Sequence, residues 1–153
     1  MTIPARYGHT NLVARDWRRL ARFYQEVFGC TPASPERDLR GAWLDRVTGL
    51  DGAHLRGIHL LLPGHGPGGP TLEIFSYDAM PAAPAPQANQ PGFAHIAFAV
   101  PDVAAALAAV RAAGGSAGGD LVRHDYPGLG QLEVVYARDP EGNIIELQRW
   151  TKV

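Results

Sequence analysis

Two stretches of this chain, 86 places apart, follow one plan, and that repetition limits the available folds more than any other feature. The first runs Gly8-His9-Thr10-Asn11-Leu12-Val13-Ala14-Arg15-Asp16 and leads into a helical pattern ending at Gly29. The second runs Ala94-His95-Ile96-Ala97-Phe98-Ala99-Val100-Pro101-Asp102 and leads into a helical pattern ending at Gly114-Gly115. The shift superposes His9 on His95, Asp16 on Asp102 and Gly29 on Gly115, three landmarks in one order. Asp16 and Asp102 are suited to cap helix N-termini, their carboxylates accepting amides that the first turn leaves without partners. Trp17, Leu20, Tyr24 and Val27 then recur at helical spacing, as do Val103, Leu107 and Val110, so each helix carries one apolar stripe. Gly29 and Gly114-Gly115 supply the positive φ that commonly closes a helix.

Strand-like segments follow each helix. In the first half they fall near Ala42–Arg46, Leu55–Leu62 and Thr71–Tyr77, and in the second near Gly118–Arg123, Leu132–Arg138 and Ile144–Gln148. Pro63–Pro70 and Asp139-Pro140-Glu141-Gly142-Asn143 are the turns between them. The order strand, helix, strand, strand, strand therefore occurs twice, which predicts an α+β fold of two tandem βαβββ modules. Module one spans 6–77 and module two 93–150; the segment 78–92, with Pro81, Pro84 and Pro86, reads as a linker. The chain's 153 residues suit one domain with a sizeable core and are too few for two ordinary independent ones.

The repeat also singles out four residues. The opening strands carry His9 and His95; the closing strands carry Glu73, in Leu72-Glu73-Ile74-Phe75, and Glu146, in Ile145-Glu146-Leu147. Side chains alternate along a strand, so Leu72, Ile74, Ile145 and Leu147 point away from the glutamates and suit packing under the helices. The His–Glu separations are 64 and 51, and the difference of 13 is expected between the first helix and the third strand, where Thr31–Leu55 looks longer than its counterpart. A lone strand His or Glu is usually hydrogen-bonded or solvated, but symmetric placement of both types in both modules points to a shared partner. A metal ion satisfies two imidazoles and two carboxylates together, where an unpaired buried charge is costly.

Composition narrows the class. Hydrophobic residues are 46% and charged residues 19%, a globular and not a disordered profile. The formal net charge is −1 with no Lys/Arg block, so neither a nucleic-acid nor a membrane partner is expected. Phe93–Val100 is strand-length and far short of a membrane span. Met1–Arg6 lacks the build of a signal peptide, and a cytoplasmic location is the expectation. Cys30 is the only cysteine, which excludes an intrachain disulfide and a thiolate cluster.

Gly8-His9-Thr10-Asn11-Leu12, Leu72-Glu73-Ile74-Phe75, Ala94-His95-Ile96-Ala97-Phe98 and Asp139–Leu147 resemble the vicinal oxygen chelate superfamily, which includes glyoxalase I, methylmalonyl-CoA epimerase, extradiol dioxygenases and bleomycin resistance proteins. The resemblance runs from about Arg6 to Trp150 and implies paired βαβββ modules whose curved mixed sheet encloses a metal. The set His9, Glu73, His95 and Glu146 is similar to the metal ligands of glyoxalase I; the epimerase typically has Gln where Glu73 stands. Such a set suits one divalent transition metal ion, Zn²⁺, Ni²⁺, Co²⁺ or Mn²⁺.

What the resemblance implies is a metal-dependent lyase, isomerase or epimerase that transfers a proton next to a carbonyl through a metal-stabilised enediolate. Glu146 or Glu73 would move the proton of a small-molecule substrate with vicinal oxygens. The alternatives are a non-catalytic small-molecule (antibiotic) binding protein and a ring-opening dioxygenase, against which the fourth ligand argues. A homodimer is expected, because sheet edges of this kind can pair with a second copy. Arg37, Arg40, Arg46 and Arg56 are candidates to grip a CoA thioester, with solvated arginines the commoner case. Arg40–Leu50 resembles an epimerase-like branch and suggests a pocket wall. His59 and His124 are expected as surface or hydrogen-bonded histidines, Glu133 as an exposed strand carboxylate, and Trp17 and Tyr24 as helix packing.

Overall fold

The structure, a computed structural model, describes residues 1–152. It forms two compact units, Met1–Ala82 and a second that begins at Ala83. The first contains β1 (His9–Val13), α1 (Trp17–Phe28), β2 (Thr31–Pro32), β3 (Arg37–Arg40), α2 (Ala42–Thr48), β4 (His54–Leu61) and β5 (Thr71–Tyr77). The second contains β6 (His95–Ala99), α3 (Val103–Ala112), β7 (Ser116–Ala117), β8 (Val122–Tyr126), β9 (Gly130–Arg138) and β10 (Ile144–Thr151). Apart from α2, the two orders match element for element. The fold is α+β, two similar modules of the βαβββ type, with a two-residue edge strand added after each long helix.

Pairing repeats as well. In the first unit the strands run β1-β5-β4-β2, with β3 on β4; in the second they run β6-β10-β9-β7, with β8 on β9. The opening and closing strands of each sheet are parallel, and the remaining pairs antiparallel. A parallel neighbour needs a crossover, and α1 and α3 supply it.

Local chemistry explains both helices. The Asp16 carboxylate accepts from the Arg19 amide at 3.0 Å and the Asp102 carboxylate from the Ala105 amide at 2.9 Å. Leu20 and Tyr24 of α1 and Val103 and Val110 of α3 are fully buried, as are Leu72, Ile74, Ile145 and Leu147 on the closing strands. These residues form the helix-covered side of each sheet, and Ser76 of β5 joins it by accepting from the Trp17 amide. Gly29 closes α1 in the left-handed region (φ 70°), and Gly114 follows α3 with φ 91°. Gly115 has a different reason to be glycine: a Cβ there would strike the Arg138 carbonyl and the Val110 side chain.

Three expectations are corrected. Ala42–Arg46 is not a strand but most of α2, because Gly41 (φ 111°) starts a turn in which the Leu44 and Asp45 amides bond the Gly41 carbonyl, and Gly49 (φ 72°) ends it. Leu44 turns inward to join Ala53, Leu55 and Phe75, and this burial holds the short helix. The strand expected at Gly118–Arg123 lies later, at Val122–Tyr126, preceded by the short Ser116–Ala117. The length difference of 13 is divided. His59 and Tyr136, which face the two glutamates across β4 and β9, are 77 apart, against 86 for His9 and His95 and 73 for the glutamates. Part of the excess is therefore α2, and the rest is the longer Pro63–Pro70 turn.

The Asp139–Asn143 turn is built on one buried side chain. Asp139 accepts from the Glu141 and Asn143 amides and from the Asn143 side chain, while Gly142 takes φ 90°. This delivers β10 in register for Glu146. No helix among the described residues is long and apolar enough to cross a membrane.

Candidate metal centre

In the first unit His9 pairs with Thr71, and Asn11 with Glu73, across the parallel strands β1 and β5. His9 and Glu73 therefore stand one diagonal step apart on the side of the sheet away from α1. The second unit repeats the step: His95 pairs with Ile144, and Ala97 with Glu146, across β6 and β10. His9 Nε2 lies 3.3 Å from Glu73 Oε2, and His95 Nε2 lies 3.1 Å from Glu146 Oε2. The carboxylates are the sheltered members, at 13% and 16% side-chain exposure.

Those separations fit adjacent metal ligands. Two donors each about 2.1 Å from one ion, and about 90–105° apart, stand about 3.0–3.3 Å from each other. Each unit thus offers one such pair. Among the described residues no group of three or more His, Cys, Asp or Glu side chains forms a ready metal cage.

The surroundings of the pairs differ. In the first unit Glu73 lies between two rings, with His59 Nε2 2.7 Å from Oε1. His59 faces Glu73 directly across β4 and β5, and its Nδ1 is 3.4 Å from the Thr71 hydroxyl. Burial pushes the His59 imidazole below its ordinary value, against the attraction of the Glu73 carboxylate. The ring meets His9 edge-on at 6.0 Å and Phe75 at 5.7 Å between centroids. Phe75 belongs in turn to the apolar cluster with Leu44, so α2 closes one end of this side of the sheet. In the second unit Tyr136 faces Glu146, and its ring packs on His95 at 5.0 Å. Further along the same row Trp150 donates to Gln148 at 3.0 Å and meets Tyr126, which meets His124.

His59, expected as a surface or hydrogen-bonded histidine, is hydrogen-bonded, and its partner is a candidate ligand. Glu133 corrects an expectation. It is buried on the helix-covered side, where Arg123 and Arg149 reach its two oxygens from both neighbouring strands, at 2.8 and 3.0 Å. The four arginines considered for a CoA thioester do not share one face. Arg37 pairs with Gly57 on the Glu73 side, whereas Arg40 and Arg56 lie on the other row and Arg56 pairs with Asp78. Cys30 is buried, and burial pushes its thiol up to about 11.

Comparison with known proteins agrees with this architecture. Residues 6–147 match the family model of the Glyoxalase/Bleomycin resistance protein/Dioxygenase superfamily. No curated protein sequence matches the chain. Among solved structures, a glyoxalase family protein from Bacillus cereus is similar at TM-score 0.81 and 20% identity, covering 97% of this chain and 96% of that one. The trypanothione-dependent glyoxalase I of Leishmania major is similar at TM-score 0.60 and 22% identity, covering 95% and 87%. A glyoxalase I variant from Zea mays is similar at TM-score 0.62 and 21% identity, covering 94% of this chain and 44% of that one. At such identities the likeness concerns the fold. With the match over 6–147, the chain belongs to the Glyoxalase/Bleomycin resistance protein/Dioxygenase superfamily.

Proposed function

We propose that the protein is a metal-dependent lyase, isomerase or epimerase of glyoxalase type, with His9, Glu73, His95 and Glu146 as ligands of one divalent transition metal ion, Zn²⁺, Ni²⁺, Co²⁺ or Mn²⁺. The observation that supports this reading is the equivalence of the two pairs: the same residue types, the same diagonal register, and separations of 3.3 and 3.1 Å suited to neighbouring ligands. Such an ion, when bound, supplies Lewis-acid stabilisation of the negative charge that develops on a substrate carbonyl oxygen.

The chain's own residues account for the rest. The two imidazoles present Nε2 to the glutamates from the opening strands. One carboxylate, Glu73 or Glu146, takes a proton from the carbon beside the carbonyl and returns it to the neighbouring atom or the opposite face. The sheltered position of both glutamates keeps bulk water from competing for that proton. The substrate on this reading is a small molecule with vicinal oxygens, and the working form is a homodimer.

The test is elemental analysis of protein purified without chelators, beside the double variant His9→Ala/Glu146→Ala. A transition metal near one per chain, absent from the variant, is the expected result and leads to screening of 2-oxoaldehyde–thiol adducts and acyl-CoA epimers. Protein that holds no metal after exposure to Ni²⁺, Zn²⁺, Co²⁺ and Mn²⁺ overturns the enzyme reading in favour of a small-molecule binding protein.

A further inference from the structure

We propose that His59 is the positioning residue of Glu73, occupying Oε1 so that the carboxylate presents Oε2 alone to a bound metal ion. The inference rests on the metal-site reading above and adds a residue that the family-derived ligand set does not contain. Its basis is geometric. His59 and Glu73 are directly opposed on antiparallel strands, and the 2.7 Å contact is short for a nitrogen–oxygen pair, as expected for a charge-assisted hydrogen bond. An ionised carboxylate only accepts, so Nε2 carries the hydrogen and donates. In the neutral ring Nδ1 is then an acceptor, and the Thr71 hydroxyl stands on that side at 3.4 Å. Phe75 packs against the same ring, which limits its rotation.

The consequence is a division of labour between the two oxygens of Glu73. Oε1 is engaged by His59, and Oε2 faces His9 Nε2 at 3.3 Å. A carboxylate held this way binds an ion through one oxygen in a preset orientation, without first losing rotational freedom. The two units differ here, because the residue opposite Glu146 is Tyr136, whose ring packs on His95. Equivalent ligands thus stand in unequal frames, and the glutamate of the first unit is the anchored one.

The experiment compares wild type with His59→Leu, His59→Asn and His59→Gln, using Co²⁺ alone as the probe. Affinity is read by competition with a chromophoric chelator, coordination from the visible Co²⁺ spectrum, and folding from circular dichroism of the metal-free proteins. A glutamine amide can reach Oε1 from this backbone position, whereas an asparagine amide stops short. The expected result is a loss of about 10–100-fold in Co²⁺ affinity for the Leu and Asn variants, with a changed spectrum. The Gln variant should recover most of the affinity and the wild-type spectrum. Folded Leu or Asn variants that bind Co²⁺ as wild type does, or a Gln variant as weak as they are, overturn the role given to His59 and leave the metal reading standing. Wild type that binds no Co²⁺ overturns the metal reading, and this inference with it.

Discussion

Gly57 and Phe75 face each other across β4 and β5, and the phenyl ring lies where a side chain on residue 57 would have to go. A Cβ there would collide with Phe75 Cδ1 and with the Ile74 carbonyl oxygen, and the latter is fixed in the sheet. Gly57 has no positive φ, so close approach is what requires glycine here. Phe75 meanwhile links the apolar cluster under α2 to the His59 ring. Gly57→Ala should therefore cost about 1–3 kcal/mol as overpacking, with m unchanged in urea unfolding. A variant as stable as wild type would show that the strands part at no cost and that this contact does not set the spacing.

The modular order was readable because three independent local signals coincided in each half: a capping aspartate, a helical stripe and a closing glycine. Helix capping and 3.6-residue periodicity are short-range, and the structure repeats them. The helix α2 was not readable from apolar pattern. Trp43-Leu44 followed by Val47 suits a strand as well as a helix in so short a segment, and only Leu44 is buried. Gly41 and Gly49 were the usable punctuation, since both take positive φ. The helix itself depends on tertiary burial that no window of seven residues contains.

The pairs His9–Glu73 and His95–Glu146 were legible from strand alternation plus the repeat. Their shared face and spacing follow from parallel pairing of opening and closing strands. His59 was legible in principle. It and Glu73 stand equally far from Gly66 in the Pro63–Pro70 turn, which is where an antiparallel hairpin places opposed residues. Glu133 was harder, because alternation assigns it a row but not the two arginines that make burial tolerable there.

That arrangement at Glu133 yields a cooperative prediction. Its carboxylate is only 7% exposed, while Arg123 and Arg149 are 63% and 42% exposed. Removing one arginine leaves the other on the buried carboxylate, so Arg123→Ala or Arg149→Ala alone should cost about 1 kcal/mol or less after solvent screening. The double variant leaves a buried charge without either partner and should cost about 3 kcal/mol. Denaturant unfolding of all four proteins gives the cycle. Losses that add within about 0.5 kcal/mol would mean that the two arginines act independently.

A second charged group gives the first unit a pH window. His54 lies between Asp38 and Asp78, with each ring nitrogen 2.7 Å from a carboxylate oxygen. Hydrogen bonding to Asp38 and then Asp78 raises the His54 imidazole above 6.5. Hydrogen bonding to His54 lowers both carboxylates below 3.8, with Arg56 assisting at each. The imidazole contribution is complete below 6.5 and is lost as pH rises through the raised value. The carboxylate contribution is present above 3.8 and is lost as pH falls through the lowered values. The Tm difference between wild type and Asp38→Asn/Asp78→Asn should therefore peak between those limits and shrink on both sides. A difference that keeps growing toward alkaline pH would sink this account.

The sharpest prediction about the candidate centre concerns stoichiometry. His9–Glu73 and His95–Glu146 each have the spacing of two neighbouring ligands, so either pair alone could hold an ion weakly by completing its shell with water. If all four residues serve one ion, wild type binds one Co²⁺ per chain, and His9→Ala and His95→Ala each weaken that single site. The loss should exceed the roughly 100-fold that accompanies removal of an outer hydrogen-bond partner, because a ligand itself is gone. If the pairs are separate, wild type binds two ions per chain and each variant retains one at undiminished affinity. Isothermal titration of the three proteins with Co²⁺ distinguishes the cases, and two ions in wild type would replace the single-centre proposal with two independent sites.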